Sequence, residues 1–136
     1  MKVNKIDHIC IAVKDLEAAR KVWEPILGKT KPDDPYIDAP EKINVARYWL
    51  GEVGFELMES TTPDGDVAKF IEKRGEGIHH ICFLVDDIEL ALERLKKEGV
   101  QLIDQYPRPG AHGTRVAFLH PKALKGVLIE IAERSK

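Results

Sequence analysis

The hydrophobic and polar positions of the chain follow the same order in two segments, residues 6–17 and residues 78–89. Each segment opens with a run of apolar side chains and continues with apolar positions at helical spacing. The opening run predicts a strand and the continuation predicts a helix. Such a repeat predicts two related halves in the chain. The identical positions include His8 and His80, Cys10 and Cys82, Val13 and Val85, Asp15 and Asp87, and Glu17 and Glu89.

Local signals mark both ends of the two predicted helices. Asp15 and Asp87 precede them and have the residue type of an N-cap. Gly28 and Gly99 follow the helical periodicity and are typical of a helix C-terminus. The first helix is therefore predicted to reach about residue 27, and the second about residue 98.

The residue pattern after each helix predicts several extended segments that form a meander. Residues 66–74 predict a short linking helix, and residues 31–40, which are polar and rich in proline, are predicted to be irregular. The chain is thus predicted to be α+β, with two tandem βαβββ modules, about residues 1–74 and 75–136, packed into a single domain. The predicted strands that follow the helices are 43–50, 54–60, 100–104, 115–120 and 126–132.

The size and charge of the chain narrow its class. A length of 136 residues with 43% hydrophobic side chains suits one domain with a proper core. The net charge of -2 indicates no basic surface for nucleic acid or for an anionic membrane. The sequence also has no apolar run long enough to predict a membrane span. We therefore expect a cytoplasmic protein whose partner is a small molecule.

Two histidines and two glutamates are the main candidates for chemistry. His8 and His80 occupy equivalent positions of the repeated strand, whereas Glu56 and Glu130 each lie within an otherwise apolar strand. A carboxylate there is costly unless it is paired, hydrogen-bonded or bound to a metal. A single histidine in a strand would favour a hydrogen-bonded core residue. The two histidines and two glutamates repeat together, with a similar histidine-to-glutamate separation in each half, and this favours a metal site. Nitrogen and carboxylate donors suit a divalent ion such as Co, Ni, Mn, Fe or Zn.

Four neighbouring residues are given no role in this chemistry. Cys10 and Cys82 lie in apolar segments without CxxC spacing, so they are expected to be buried and reduced. Glu59 and Glu133 come at the ends of their strands, where solvated carboxylates are expected.

The whole chain resembles the vicinal oxygen chelate superfamily, in which paired βαβββ modules form a cupped mixed sheet around a metal site. Residues 77–88, 110–113, 118–122 and 126–130 most resemble methylmalonyl-CoA epimerases. The segments 110–113 and 118–122 are the more specific ones, because the histidine and glutamate motifs recur across the superfamily.

The resemblance implies an isomerase that interconverts the (R) and (S) epimers of methylmalonyl-CoA. It also implies a divalent metal, with cobalt favoured, an acyl-CoA substrate and a homodimer. Epimerisation requires a proton-transfer group on each face of the α-carbon, and Glu130 is the group implied for one face. The implied metal ligands are His8, Glu56, His80 and Glu130.

The sequence leaves open the group for the opposite face. Some family members carry a carboxylate on the strand where this chain has Val45 at the matching position. The proton could instead be handled by Glu56, by Glu41, by His112 or by a metal-bound water.

Three residues are candidates for substrate binding. Arg47 is expected either to direct its guanidinium toward a substrate carboxylate or phosphate, or to extend along the surface into solvent. Residues 109–115, which contain His112 and Arg115, resemble an acyl-CoA contact of the family. The alternative for this segment is an ordinary hairpin turn.

Other functions of the same superfamily share parts of this pattern. A glyoxalase I type lactoylglutathione lyase, acting on the hemithioacetal of methylglyoxal, has the same ligand types, and only residues 110–113 and 118–122 favour the epimerase. An extradiol dioxygenase uses two histidines and one carboxylate, which leaves Glu56 unexplained. A metal-free binding protein would be expected to lack some of the ligands, and all of them are present.

Overall fold

The computed structural model describes residues 2–134. Within them the chain forms eight strands and three α-helices. Short 3-10 helices lie at Ala111–Gly113 and Pro121–Leu124. In chain order the elements are β1 Val3–Ala12, α1 Leu16–Leu27, β2 Asp34–Asp38, β3 Ile43–Leu50, β4 Val53–Ser60, α2 Asp66–Arg74, β5 Gly77–Val85, α3 Ile88–Lys97, β6 Arg108–Pro109, β7 Thr114–Leu119 and β8 Ile129–Arg134.

The order of elements is βαβββ twice, with α2 as the link, and this confirms the predicted α+β repeat. The chain divides into two compact units. The N-terminal unit is His8–His79, and the C-terminal unit combines residues 80–134 with residues 2–7.

The N-terminal unit contains the strand order β2-β3-β4-β1. β1 and β4 are parallel, because α1 intervenes and returns the chain, whereas β3 is antiparallel to both β2 and β4. Alternate side chains of β1 enter different clusters, as period-two alternation predicts. Ile11 packs with Leu16 of α1 and Leu57, and Cys10 packs on the other face with Met58.

The C-terminal unit repeats this arrangement with the order β5-β8-β7-β6. β5 and β8 are parallel, and β7 is antiparallel to β8 and to β6. α3 buries Ile88 and Leu92 against Ile131, whereas Cys82 faces the opposite side with Val116. Both units therefore place the cysteine of the repeated strand on the face opposite the helix that follows it.

The predicted N-caps of α1 and α3 are confirmed. The Asp15 carboxylate accepts the N–H of Ala18 at 3.1 Å, and the Asp87 carboxylate accepts the N–H of Leu90 at 3.0 Å. At the other end of α1, Gly28 adopts a left-handed conformation with φ of 69°, which is the C-cap geometry expected of a glycine.

The expectation of solvated carboxylates at Glu59 and Glu133 is wrong. Glu59 accepts the N–H of Leu16 at 2.8 Å, and Glu133 accepts the N–H of Ile88 at 3.2 Å. Both side chains thus satisfy the first N–H of a helix that would otherwise have no intrahelical partner. The same contact occurs in both halves, but in each half it joins residues that are far apart in the chain.

The strand predicted for residues 100–104 is also wrong. This segment makes a single bridge, between Leu102 and Leu119. The carboxylate of Asp104 accepts the N–H of Phe118 at 2.8 Å, and the N–H groups of Ile103 and Asp104 share the carbonyl of Phe118. The Asp104 side chain therefore replaces a backbone carbonyl as the acceptor for the N–H of Phe118, and the strand pairing ends there. The outermost strand of this unit is instead the short β6.

A strand occurs where the sequence predicts irregular structure, since β2 pairs with β3 from Asp34 opposite Arg47 to Asp38 opposite Ile43. β2 is the last strand in the order of its unit, a position that tolerates Pro35 because proline cannot donate to a ladder.

The predicted limits of other elements differ by a few residues at most. β3 and α2 have the predicted bounds. β8 begins at Ile129, later than predicted, because Lys125 and Gly126 have φ of 60° and 99° and still belong to the preceding turn. No helix in residues 2–134 combines the length and the apolar character that crossing a membrane requires.

Candidate metal centre

Glu56 lies at the middle of β4, between two side chains of the neighbouring strands. Arg47 of β3 and Cys10 of β1 are its direct cross-strand partners. Directly opposite residues point to the same face of a sheet, so all three side chains converge. Glu56 is 2% exposed and Arg47 is 8% exposed. The convergence therefore occurs in the interior of the unit.

Both carboxylate oxygens of Glu56 are engaged. Oε2 accepts a hydrogen bond from Nε of Arg47 at 2.5 Å and also contacts Nη2 of the same guanidinium. Oε1 accepts a hydrogen bond from the Sγ of Cys10 at 3.0 Å. A buried carboxylate requires such compensation, because removing a charge from water is expensive. Cys10 is buried and free, as predicted, but its contact with Glu56 was not expected.

The guanidinium of Arg47 is enclosed by aromatic rings. It lies 5.4 Å from the ring centre of Tyr36 and 5.5 Å from that of Trp49, and Nη2 donates to the Tyr36 hydroxyl at 3.3 Å. Of the two orientations expected for Arg47, extension into solvent is therefore wrong. Burial raises the pKa of the Tyr36 phenol, and the carboxylate of Glu56 raises it further, so the hydroxyl stays neutral.

His8 lies on the same face of the N-terminal unit as Glu56. It precedes Cys10 by two residues on β1, and its direct partner on β4 is Gly54. Because glycine has no side chain, nothing projects from β4 directly opposite the imidazole. His8 and Glu56 are thus diagonal neighbours on parallel strands.

The C-terminal unit places its histidine and glutamate in direct contact. Nε2 of His80, on β5, lies 3.3 Å from Oε1 of Glu130, on β8. His80 is 6% exposed and Glu130 is 8% exposed. Glu130 is opposite Cys82 in the parallel pairing of these strands, just as Glu56 is opposite Cys10. Two of the four residues that the sequence predicts to share a site are therefore in contact within this unit.

The two glutamates differ in their partners across the antiparallel pairing. Arg47 faces Glu56 on β3, whereas Phe118 faces Glu130 on β7. The Phe118 ring meets the imidazole of His80 edge to face, with centres 5.5 Å apart. The repeat therefore preserves the carboxylate and changes the residue that faces it from a cation to an aromatic ring.

The donor atoms in the C-terminal unit fit a divalent ion. Two ligands bound at about 2.1 Å to one ion are separated by about 3.0–3.5 Å, and the separation of His80 Nε2 and Glu130 Oε1 is 3.3 Å. In the N-terminal unit, Glu56 can serve both Arg47 and an ion, because a carboxylate has about four lone-pair sites.

The residues expected in the acyl-CoA contact lie at the surface of the C-terminal unit. His112 is exposed and has a left-handed backbone with φ of 59°. The Arg115 side chain is 45% exposed and contacts Glu89 at 2.5 Å and Glu133 at 3.3 Å. The hydrogen bond that Arg115 donates to the Glu89 carboxylate raises the pKa of the guanidinium.

Val45 and the candidate Glu41 have different environments. Val45, at the position where some family members carry a carboxylate, is 1% exposed and packs in the core with Met58. Glu41 is half-buried, and its N–H donates to the carboxylate of Asp38 at 3.2 Å.

Tyr36 is the residue of this region that sequence reasoning missed. It lies in the segment predicted to be irregular, and its side chain reaches Arg47 because β2 pairs with β3. The alternation of half-buried and exposed positions along β2 is a signal that could have indicated a strand.

Comparison with known proteins gives a consistent result. Residues 7–118 match the family model of the Glyoxalase/Bleomycin resistance protein/Dioxygenase superfamily. An uncharacterized protein, YqjC of Bacillus subtilis, is 41% identical over 96% of this chain and 93% of its own length. The ethylmalonyl-CoA/methylmalonyl-CoA epimerase of Cereibacter sphaeroides is 36% identical over 96% of this chain and 98% of its own.

A solved structure supports the fold directly. A methylmalonyl-CoA epimerase in complex with methylmalonyl-CoA and NH4+ superposes with a TM-score of 0.89 and 31% identity, covering 98% of this chain and 96% of that one. The α+β fold predicted from the repeat is therefore confirmed.

Proposed function

Because the chain belongs to the Glyoxalase/Bleomycin resistance protein/Dioxygenase superfamily, we propose that it is a methylmalonyl-CoA epimerase. It would interconvert the (R) and (S) epimers by removing the α-proton and returning one to the opposite face. Relatives named as epimerases of this substrate match over nearly the whole chain at 33–36% identity, which supports the proposal. Residues 110–113 and 118–122, which resemble these epimerases more than other superfamily members, support it further.

Two histidines and two glutamates of the repeat are the proposed metal ligands. The contact of His80 with Glu130 carries this proposal, because it places an imidazole nitrogen and a carboxylate oxygen at the separation of two ligands of one ion. A bound divalent ion would act as a Lewis acid toward the thioester oxygen, which stabilises negative charge as the α-proton leaves. Cobalt is the favoured ion, and Ni, Mn, Zn or Fe also suit the donors. The proposed ligands are His8, Glu56, His80 and Glu130.

Glu130 is the proposed proton-transfer group for one face of the α-carbon. Its carboxylate is buried against His80, and the apolar ring of Phe118 faces it across the strands. General acid-base catalysis needs a group that is held within hydrogen-bond reach of the proton, and the contact with His80 positions this carboxylate. The group for the other face belongs to the alternatives given above, and Val45 cannot supply it because its side chain carries no titratable group.

His112 and Arg115 are the proposed contacts for the CoA part of the substrate. Both are exposed in the C-terminal unit, and Arg115 carries a permanent charge suited to phosphate. Arg47 differs from them because its guanidinium is buried against Glu56, so its role concerns that carboxylate. The proposed active form is a homodimer, which light scattering on the purified protein would test.

Turnover of two substrates by one metal-loaded preparation tests this proposal. The protein is stripped of metal, reloaded with cobalt and given (S)-methylmalonyl-CoA or the hemithioacetal of methylglyoxal and glutathione. We expect formation of the (R) epimer, detected by a stereospecific coupled reaction, and no product from the hemithioacetal. Turnover of the hemithioacetal alone would instead establish a glyoxalase.

A further inference from the structure

We propose that Arg47 is a positioning residue that holds Glu56 by one carboxylate oxygen and leaves the other oxygen for the divalent ion. This inference rests on the proposed function, since it takes Glu56 as a metal ligand. It adds Arg47 to the residues of the metal centre, beyond the four proposed ligands.

The contacts of the two oxygens of Glu56 are unequal. Nε and Nη2 of Arg47 both contact Oε2 of the carboxylate. Oε1 accepts the thiol of Cys10 at 3.0 Å, and a thiol is a weak donor. An incoming cation therefore displaces little at Oε1, whereas at Oε2 it would have to compete with two charge-assisted contacts.

The guanidinium itself is fixed in place. The rings of Tyr36 and Trp49 lie 5.4 and 5.5 Å from its central carbon, and Nη2 donates to the Tyr36 hydroxyl at 3.3 Å. A planar guanidinium suits such stacking, and a lysine ammonium does not provide the same fork of donors. Three strands thus determine the orientation of the Glu56 carboxylate: β3 through Arg47, β2 through Tyr36, and β1 through Cys10.

Two physical effects of Arg47 on metal affinity have opposite signs. Its positive charge repels a divalent cation, so a purely electrostatic role predicts tighter binding when Arg47 is removed. Its hold on Glu56 orients a ligand before the ion arrives, so a positioning role predicts weaker binding. Outer contacts to ligating side chains are typically worth about 10–100-fold in metal affinity. The sign of the change therefore distinguishes the two roles.

The test compares Arg47→Met, Arg47→Lys and Arg20→Met with the unaltered protein. Arg20 is the matched control, because it lies in the same unit and donates to a different glutamate, Glu24, at 2.8 Å. Each metal-free protein is titrated with Co2+ to obtain a dissociation constant, and the visible absorption of the bound cobalt reports its coordination. Circular dichroism verifies the fold of every variant.

We expect Arg47→Met to weaken Co2+ binding by about 10–100-fold and to change the cobalt absorption bands. Arg47→Lys should recover part of the affinity, and Arg20→Met should leave it unchanged. Affinity that is unchanged or higher in Arg47→Met would overturn the inference. If Arg47→Met does not fold, Arg47→Lys decides, since wild-type affinity and bands in that variant would also overturn it. Absence of Co2+ binding by the unaltered protein would refute the proposed metal centre instead.

Discussion

Arg47 faces Glu56 directly across β3 and β4, with its Nε 2.5 Å from Oε2 of the carboxylate. The corresponding position opposite Glu130 is occupied by Phe118. The repeat has thus retained a carboxylate in each unit and changed its neighbour. One glutamate is held by a cation of the chain itself, and the other lies beside an imidazole and an aromatic ring.

The first prediction concerns metal removal. Because Arg47 compensates the buried charge of Glu56, the metal-free protein should remain folded and unfold cooperatively. Cobalt should then stabilise it by binding the folded state, by about 2.7 kcal/mol at a concentration 100 times the dissociation constant. Calorimetry in chelator and in cobalt measures both effects. His80→Ala is the control in which the cobalt-induced shift should be lost, and an unfolded chain in chelator would contradict the prediction.

The second prediction compares two matched substitutions in the metal-free protein. Glu56→Gln leaves the buried guanidinium of Arg47 without its counter-charge and should destabilise the fold by about 3 kcal/mol. Glu130→Gln should cost about 1 kcal/mol, because the amide can still hydrogen-bond to the imidazole of His80. Urea unfolding in the presence of chelator measures the difference. Equal losses in the two variants would show that Arg47 does not distinguish the two carboxylates.

The third prediction concerns acid sensitivity of the N-terminal unit. The Tyr48 hydroxyl donates to Glu24 at 2.6 Å, and Arg20 donates to the same oxygen. The hydrogen bond from Tyr48, followed by that from Arg20, lowers the pKa of the Glu24 carboxyl from its usual 4.5. The unfolded chain therefore binds a proton before the folded chain does as the pH falls.

The stabilisation by Glu24 should accordingly be complete above about pH 4.5 and be lost as the pH falls through the lower native pKa. Urea midpoints recorded from pH 7 downward should decrease less steeply in Tyr48→Phe than in the unaltered protein. An identical pH dependence in the two proteins would be evidence against the assigned role of this hydrogen bond.

The fourth prediction concerns the glutamates at the helix N-termini. Glu59 and Glu133 accept the first N–H of α1 and of α3. Glu59→Ala and Glu133→Ala should each lower the free energy of unfolding by about 1–2 kcal/mol, as expected for a charge-assisted hydrogen bond. Glu17→Ala, at an exposed site in the first turn of α1, is the control and should change it by less than about 0.5 kcal/mol. Losses no larger than the control would contradict the capping role.

The sequence predicts the parts of the fold that local patterns determine. The strand-to-helix transitions at Asp15 and Asp87 follow from N-cap chemistry and periodicity, and both are present. The contact of His80 with Glu130 follows from the repeat and from the cost of a buried carboxylate. Each of these inferences needs only neighbouring residues or a comparison of the two halves.

The remainder depends on pairing between distant segments. β2 is a strand because β3 offers it an edge, and residues 100–104 lose their ladder because the side chain of Asp104 takes the N–H of Phe118. The hold of Arg47 on Glu56 likewise appears only when β3 and β4 are in register. Neither composition nor periodicity encodes such a register directly.

The most direct test of the central claim is proton exchange at the α-carbon of methylmalonyl-CoA in heavy water. Cobalt-loaded protein should incorporate deuterium, detected by mass spectrometry, and chelator should abolish the incorporation. At saturating cobalt, Glu130→Gln should slow exchange from the epimer whose α-proton faces Glu130 by at least about 100-fold, whereas the exposed Glu17→Gln should match the unaltered protein with both epimers. Unslowed exchange from both epimers in Glu130→Gln, or exchange that persists in chelator, would contradict a metal-assisted epimerase that uses Glu130.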